Sequence, residues 1–166
     1  GSVADHLLRH LDVPLLLLRH HETQMYDSRM AFRRMLIPLD GSERAEAVID
    51  PALLLCPPPM AEIALVRVVP PAADGLAEGR GAAAVYLDEV AGQLERRGCR
   101  VSTTVVVSDS PAQAILDQGR PEATDCIAMA TRGASGVRRL VLGSVTDKVV
   151  RGADVPVLAL HPPGVE

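Results

Sequence analysis

The chain has 166 residues, 48% of them apolar, and a formal net charge of −4. That length holds one filled core and is short for two ordinary α/β domains. With no Trp, one Phe and two Tyr, the core must be aliphatic; the sequence offers no aromatic platform for single-stranded nucleic acid, no basic surplus for a phosphate backbone and no apolar run of membrane-spanning length.

The first element is a repeat. Residues 1–20 (GSVADHLLRHLDVPLLLLRH) align with 143–162 (GSVTDKVVRGADVPVLALHP), and ten of twenty positions are identical. Unrelated segments would share about one or two, so a duplicated unit is the economical explanation. Each copy reads as a short helix and then a strand. Ser2 and Ser144 stand at the N-cap position, with Asp5 and Asp147 three residues on as a capping-box variant. Val-Pro opens the strand, where Pro is tolerated. Residues 1–20 are therefore expected to be the helix–strand tail of a preceding copy of the domain. In the helix, Val3, Leu7, Leu8 and Leu11 form an apolar face that needs a cover.

Residues 21–31 are polar and aperiodic and read as a linker. The complete domain is expected over 32–162. RMLIPL (33–38) is a buried strand, and Asp40-Gly41-Ser42 turns the chain into a helix over 43–55 that Pro51 kinks. AEIALVRVV (61–69) is a second strand. A Pro/Ala/Gly loop (70–80) leads to a helix over 82–97 ended by Gly98. CRVSTTVVV (99–107) is a third strand. Ser110 caps a helix that has Pro111 as its first residue and stops near Gly119. DCIAMA (125–130), a helix over 144–152 and VPVLAL (155–160) complete the series. Aliphatic strands alternating with helices predict an α/β fold: a doubly wound, five-stranded parallel sheet with helices on both faces, plus the extra N-terminal helix–strand.

In such sheets ligands bind beyond the C-terminal strand ends, where the strand order reverses. The segments to weigh are therefore Asp40, 69–80, 108–110 and 131–144. Asp40 puts a carboxylate at the tip of the first strand, either to bond a ligand or to cap a turn. In ATRGASGVRRLVLGS (130–144), Gly143-Ser144 opens a helix whose free N–H groups and positive dipole end suit a phosphate. Arg132, Arg138 and Arg139 add cationic reach, unless they are only solvated. Other chemistry is poorly served. The only lysine, Lys148, falls inside the last helix, so there is no P-loop. Gly79-Arg-Gly81-Ala-Ala-Ala84 starts too far from its strand for a dinucleotide fingerprint. His6 and His10 fall on a polar helix side with His20 and His21 nearby, and no metal site is assigned. Cys56, Cys99 and Cys126 have no metal or redox spacing. Their odd number suits a reducing, cytoplasmic compartment. No catalytic residue is assigned.

MLIPLDGSERAEAVI (35–49), ALVRVV (64–69) and above all MATRGASGVRRLVLGSVTDKVV (129–150) with DVPVLAL (154–160) resemble the universal stress protein family. The ATP-binding members carry Gly-x2-Gly-x9-Gly-Ser/Thr. Gly133, Gly143 and Ser144 match it, and Ala130 replaces the first glycine. The resemblance implies an ATP-binding regulatory domain in stress response, with Mg2+ accompanying the triphosphate and slow hydrolysis at most. By position, Asp40 and the Val68 backbone would face adenine, with Pro38 and Leu39 on that side. Met129 and Ala130 would lie along the ribose. Gly133, Gly143, Ser144, Val145 and Thr146 would cradle the phosphates. The alternative is a dimerisation or signalling module of the same fold without a nucleotide, which Ala130 favours. The resemblance further implies pairing of last strands across a two-fold, so strand 13–18 is expected to pair with 155–160, within the chain or in a homo-oligomer.

Overall fold

The computed structural model describes residues 7, 13–18, 32–71, 76–120, 122–131 and 143–162. Six strands form one sheet: β1 (Leu15–Leu17), β2 (Arg34–Pro38), β3 (Glu62–Val69), β4 (Arg100–Val107), β5 (Cys126–Ala130) and β6 (Val157–Leu160). Their order is β1-β6-β5-β2-β3-β4. All neighbours are parallel except β1, which runs antiparallel to β6. The five parallel strands are those expected, and the expected N-terminal strand adds antiparallel to their edge, which makes the sheet six-stranded and mixed.

The helices are α1 (Glu43–Glu46), α2 (Ile49–Leu55), α3 (Leu76–Arg96), α4 (Pro111–Gln118) and α5 (Ser144–Gly152). Side-chain alternation distributes the core over both faces of the sheet. Met35, Ile37, Ile63 and Leu65 pack with Val48 and Ala52 and with Leu87 and Leu94 of α3. Leu36, Val66, Ile127 and Met129 pack on the other face with Ala112 and Ile115 of α4 and Val149 of α5. All five residues of the central strand β5 are buried, as expected of a parallel strand covered on both sides.

Three local expectations are corrected and one is refined. Residues 43–55 form two helices rather than one kinked helix, with the break at Ala47-Val48. Pro51 cannot donate to the carbonyl four residues back and its ring crowds it, so the helix restarts just upstream of the proline. Helix α3 begins at Leu76, not near residue 82, so part of the expected 70–80 loop is helical. Gly143, not Ser144, is the N-cap of α5, and Asp147 bonds Arg151 at 2.9–3.0 Å instead of closing a capping box. Ser110 is the N-cap of α4 with Pro111 as its first residue, as expected, but caps without a side-chain bond; its N–H donates to Ser108 Oγ. Of the helix expected over 3–11, only Leu7 lies within the described residues; it is helical and partly exposed.

Strand β1 meets β6 within the chain, with Leu15 opposite Ala159, Leu16 opposite Leu158 and Leu17 opposite Val157. No helix among the described residues is long and apolar enough to cross a membrane.

Candidate functional site

The strand order reverses between β2 and β5: β3 and β4 lie to one side of that pair, β6 and β1 to the other. Beyond the C-terminal ends of these strands opens a cleft of about 260 Å³. Every sequence-predicted site residue that is described lines it: Pro38, Leu39 and Asp40 after β2; Val68 on β3; Met129 and Ala130 on β5; Gly143, Ser144, Val145 and Thr146 at the start of α5. Gly133 lies outside the described residues, as do Arg132, Arg138 and Arg139. The cleft also takes in Thr131, from the segment 131–144 weighed above, and residues that sequence reasoning passed over: Ala45, Val66, Pro111 and Ile115. Pro111 and Ile115 are four apart on α4 and so share a face. That spacing was available in the sequence, but not which way the face points.

The two walls differ in chemistry. On the β2 side, Asp40 Oδ1 accepts from Ser42 N (3.0 Å) and Ser42 Oγ (2.6 Å). Ser42 Oγ in turn accepts from Ala45 N at 3.2 Å and is the N-cap of α1. Asp40 therefore stands at the cleft and orients the capping serine rather than capping the helix itself. Leu39 N donates to Val66 O at 2.8 Å, which directs the even-numbered peptide groups of β3 toward β2. The last β2–β3 pair is Pro38 with Val66. By alternation the Val68 peptide group points past the end of β2, over the cleft.

The opposite wall is the start of α5. Its first intrahelical bond runs from Asp147 N to Gly143 O (2.9 Å). The N–H groups of Ser144, Val145 and Thr146 precede it and have no acceptor within the helix. Gly143 N donates to Thr131 O at 2.9 Å, and a methyl group at Gly143 would stand 2.8 Å from that same oxygen. No alanine fits without backbone movement, so glycine sets how closely α5 approaches the tip of β5. Thr146 Oγ1 donates to Ala130 O (3.0 Å), completing the junction. Thr131 is buried; its hydroxyl bonds His161 Nδ1 at 2.9 Å.

This wall offers oriented donors, suited to an anion. The three cysteines are buried in the core and line no part of the cleft. Burial pushes Cys56 up to about 11 and Cys126 to about 12, so neither is a reactive thiolate. Among the described residues, no group of three His, Cys, Asp or Glu gathers to hold a metal.

A cleft at the reversal point of an open α/β sheet, with a helix start facing it, is the place where doubly wound α/β domains take ligands. Comparison with known proteins narrows the class. The model of the universal stress protein family matches residues 31–161, and the chain belongs to that family. Universal stress protein YxiE of Bacillus subtilis is 26% identical over 78% of this chain and 99% of its own length. Universal stress protein Rv2623 of Mycobacterium tuberculosis is 28% identical over 95% of this chain, which spans 54% of that protein. Among solved structures, that of MJ0577 superposes with a TM-score of 0.72 at 24% identity, over 81% of this chain and 99% of that one. A universal stress protein in complex with cAMP gives 0.63 at 21% identity, over 80% and 98%. The Archaeoglobus fulgidus protein in complex with dAMP gives 0.63 at 20%, over 79% and 99%. At these identities the structural matches speak for the fold.

Proposed function

We propose that the cleft binds an adenine nucleotide, ATP by preference, and that the domain works as a regulatory binding module in stress response in the cytoplasm with little or no turnover. The observation that carries this reading is the pairing of two walls across one cleft. One has the N–H groups of Ser144, Val145 and Thr146, which have no acceptor within their helix; the other has the Asp40 carboxylate and the Val68 peptide. The first suits phosphates; the second suits the donor and acceptor edge of a base. Gly133 joins the phosphate side by its motif position, and Met129 and Ala130 lie between the walls as a ribose floor. Two fold relatives were solved with cAMP and dAMP, which supports an adenine ligand here. Mg2+ would ride on the phosphate oxygens, since the described side chains gather no metal-binding set.

One observation favours a second reading, a dimerisation or signalling module without nucleotide. Ala130 sits in the cleft where the ATP-binding pattern has glycine, and its methyl group takes up room there. Calorimetric titration with ATP and Mg2+ separates the two. Saturable heat at micromolar ATP supports binding; none at high micromolar ATP supports the second reading.

The edge of the sheet carries a related proposal: residues 1–20 are the tail of a preceding domain of the same kind, 21–31 the linker, and β1–β6 the seam across which two such domains pair, in one chain or between two copies. Its support is the register. The sequence repeat makes Leu16 the equivalent of Leu158, and those two residues stand opposite each other. Equivalent strands pairing about a two-fold must meet at equivalent residues on the axis. Deleting residues 1–20 should uncover β6 and drive two copies together in sedimentation. A truncated chain that stays monomeric and equally stable contradicts the seam.

A further inference from the structure

Val66 and Val68 line the cleft. Arg67 between them faces the other side of the sheet, as alternation requires, and is not among the residues that line the cleft. Its side chain is nevertheless built into the cleft's lip. The guanidinium carbon lies 5.1 Å from the centroid of the Tyr86 ring on α3. A methyl group at Gly41 would stand 3.0 Å from Arg67 Nη1 and 3.1 Å from Cζ and Nη2. Three near-equal distances mean that the guanidinium plane lies flat against Gly41. Gly41 has φ +88°, so this position needs glycine both for its backbone conformation and for the cation resting on it. Tyr86 is itself anchored, since its hydroxyl donates to Glu46 Oε1 of α1 at 2.8 Å. Burial first and this bond to Glu46 second push the phenol well above its ordinary range, so the ring stays a neutral donor at any physiological pH. Side chains from β3, α3 and α1 thus converge beneath the Asp40-Gly41-Ser42 turn.

We propose that Arg67 is a positioning residue: its flat cation clamps the Asp40-Gly41-Ser42 turn from behind and holds the Asp40 carboxylate where the base of a nucleotide meets it. The proposal deepens the nucleotide-binding reading and rests on it for its functional half. Arginine suits the task because its planar, delocalised cation stacks on an aromatic ring and on a bare α-carbon at once; the compact ammonium of lysine presents no plane. The clamp acts on the base side alone, since the phosphate side is built from β5 and α5.

The test uses the intact chain and two variants, Arg67→Met, which keeps bulk and loses the cation, and Arg67→Lys, which keeps charge and loses the plane. The first arm needs no ligand. Hydrogen exchange of the Ser42 amide, bonded to Asp40 Oδ1, should speed up by about tenfold in both variants, while that of Gly143, bonded to Thr131 O, stays unchanged. The second arm compares ATP, GTP and inorganic tripolyphosphate. Affinity for ATP should fall about five- to tenfold, the preference for ATP over GTP should shrink with it, and tripolyphosphate should bind as before. A merely structural loss would weaken all three ligands together and overturns the proposal. So does an unchanged Ser42 amide, an unchanged ATP preference, or full restoration by lysine. If the wild-type chain binds none of the three ligands, the nucleotide reading fails, and the Ser42 amide still decides whether the clamp exists.

Discussion

The two ends of the sheet carry concavities of similar size, about 260 Å³ at the C-terminal strand ends and about 300 Å³ at the N-terminal ends. Their chemistry is opposite. At the N-terminal end the charged groups satisfy one another within the chain. Arg34 Nε and Nη2 donate to Asp125 Oδ1, and the backbone N–H groups of Arg33 and Arg34 donate to Oδ2. Arg34 also reaches the Glu122 carbonyl, and Arg100 pairs with Glu62. At the C-terminal end the first residues of α5 line the cleft, and their N–H groups have no acceptor in their own helix. Volume alone does not mark a site; donors left facing a cavity do. The N-terminal groove holds the sheet together, and the C-terminal cleft is where doubly wound sheets take ligands.

Substitutions at the two ends should therefore separate stability from binding. The largest effect is expected from Gly143→Ala. Its methyl group would meet the Thr131 carbonyl oxygen at 2.8 Å, so α5 must move. We expect about 1–3 kcal/mol lower stability and more than about tenfold weaker ATP binding, read by thermal melting and calorimetry. An unchanged affinity would detach the helix start from the site.

Asp125→Asn at the other end should lower stability by about 1–2 kcal/mol, discounted for partial exposure, and leave ATP affinity alone. Burial alone would raise the Asp125 carboxyl, but its bonds to Arg34 and to the two backbone N–H groups outweigh burial and hold it below the usual carboxylate value. A folded-state value below the unfolded one adds stability that is fully present above the unfolded value and is lost as pH falls through the folded one. Wild type should therefore lose its advantage over Asp125→Asn as pH falls below the unfolded carboxylate value and on through the folded one in denaturant titrations. An advantage that persists or grows on acidification would contradict the pair.

Thr146→Val removes the bond to Ala130 O and should lower the melting stability by about 1 kcal/mol, with a smaller loss of affinity than Gly143→Ala. The smallest change belongs to neither end. Gly79 sits in α3 with nothing within 4 Å of an added methyl group. Gly79→Ala should stabilise by about 0.5–1 kcal/mol in the same melts with no change in binding.

How far this could be read from sequence depends on the kind of signal. The parallel strands were legible because burial on both faces demands continuous aliphatic runs, as in CIAMA of β5. The break at Ala47-Val48 was not, because a proline announces a disturbance without saying whether the helix bends or restarts. The early start of α3 was hidden by Gly79 and Gly81, whose poor propensity is overridden by the helix that continues from them into Leu87 and Leu94. Residues 38–40 and 143–146 were legible because strand tips and a Gly-Ser helix start announce themselves locally. Ala45, Pro111 and Ile115 join the cleft only through packing between elements distant in sequence, whereas Val66 and Thr131 sit beside the predicted Val68 and Ala130. Arg67 is the extreme case: alternation in β3 points it away from the cleft, and only the fold brings Tyr86 and Gly41 to it.

The central claim is that an adenine nucleotide lies between the Asp40 turn and the start of α5. The most direct measurement is the change in backbone amide resonances when ATP and Mg2+ are added to the isotope-labelled intact chain. The largest shifts should fall on Ser144, Val145 and Thr146 and on the Asp40-Gly41-Ser42 turn, with none at Glu62 or Arg100. Shifts confined to the N-terminal groove, or none at any ATP concentration up to high micromolar, would contradict it.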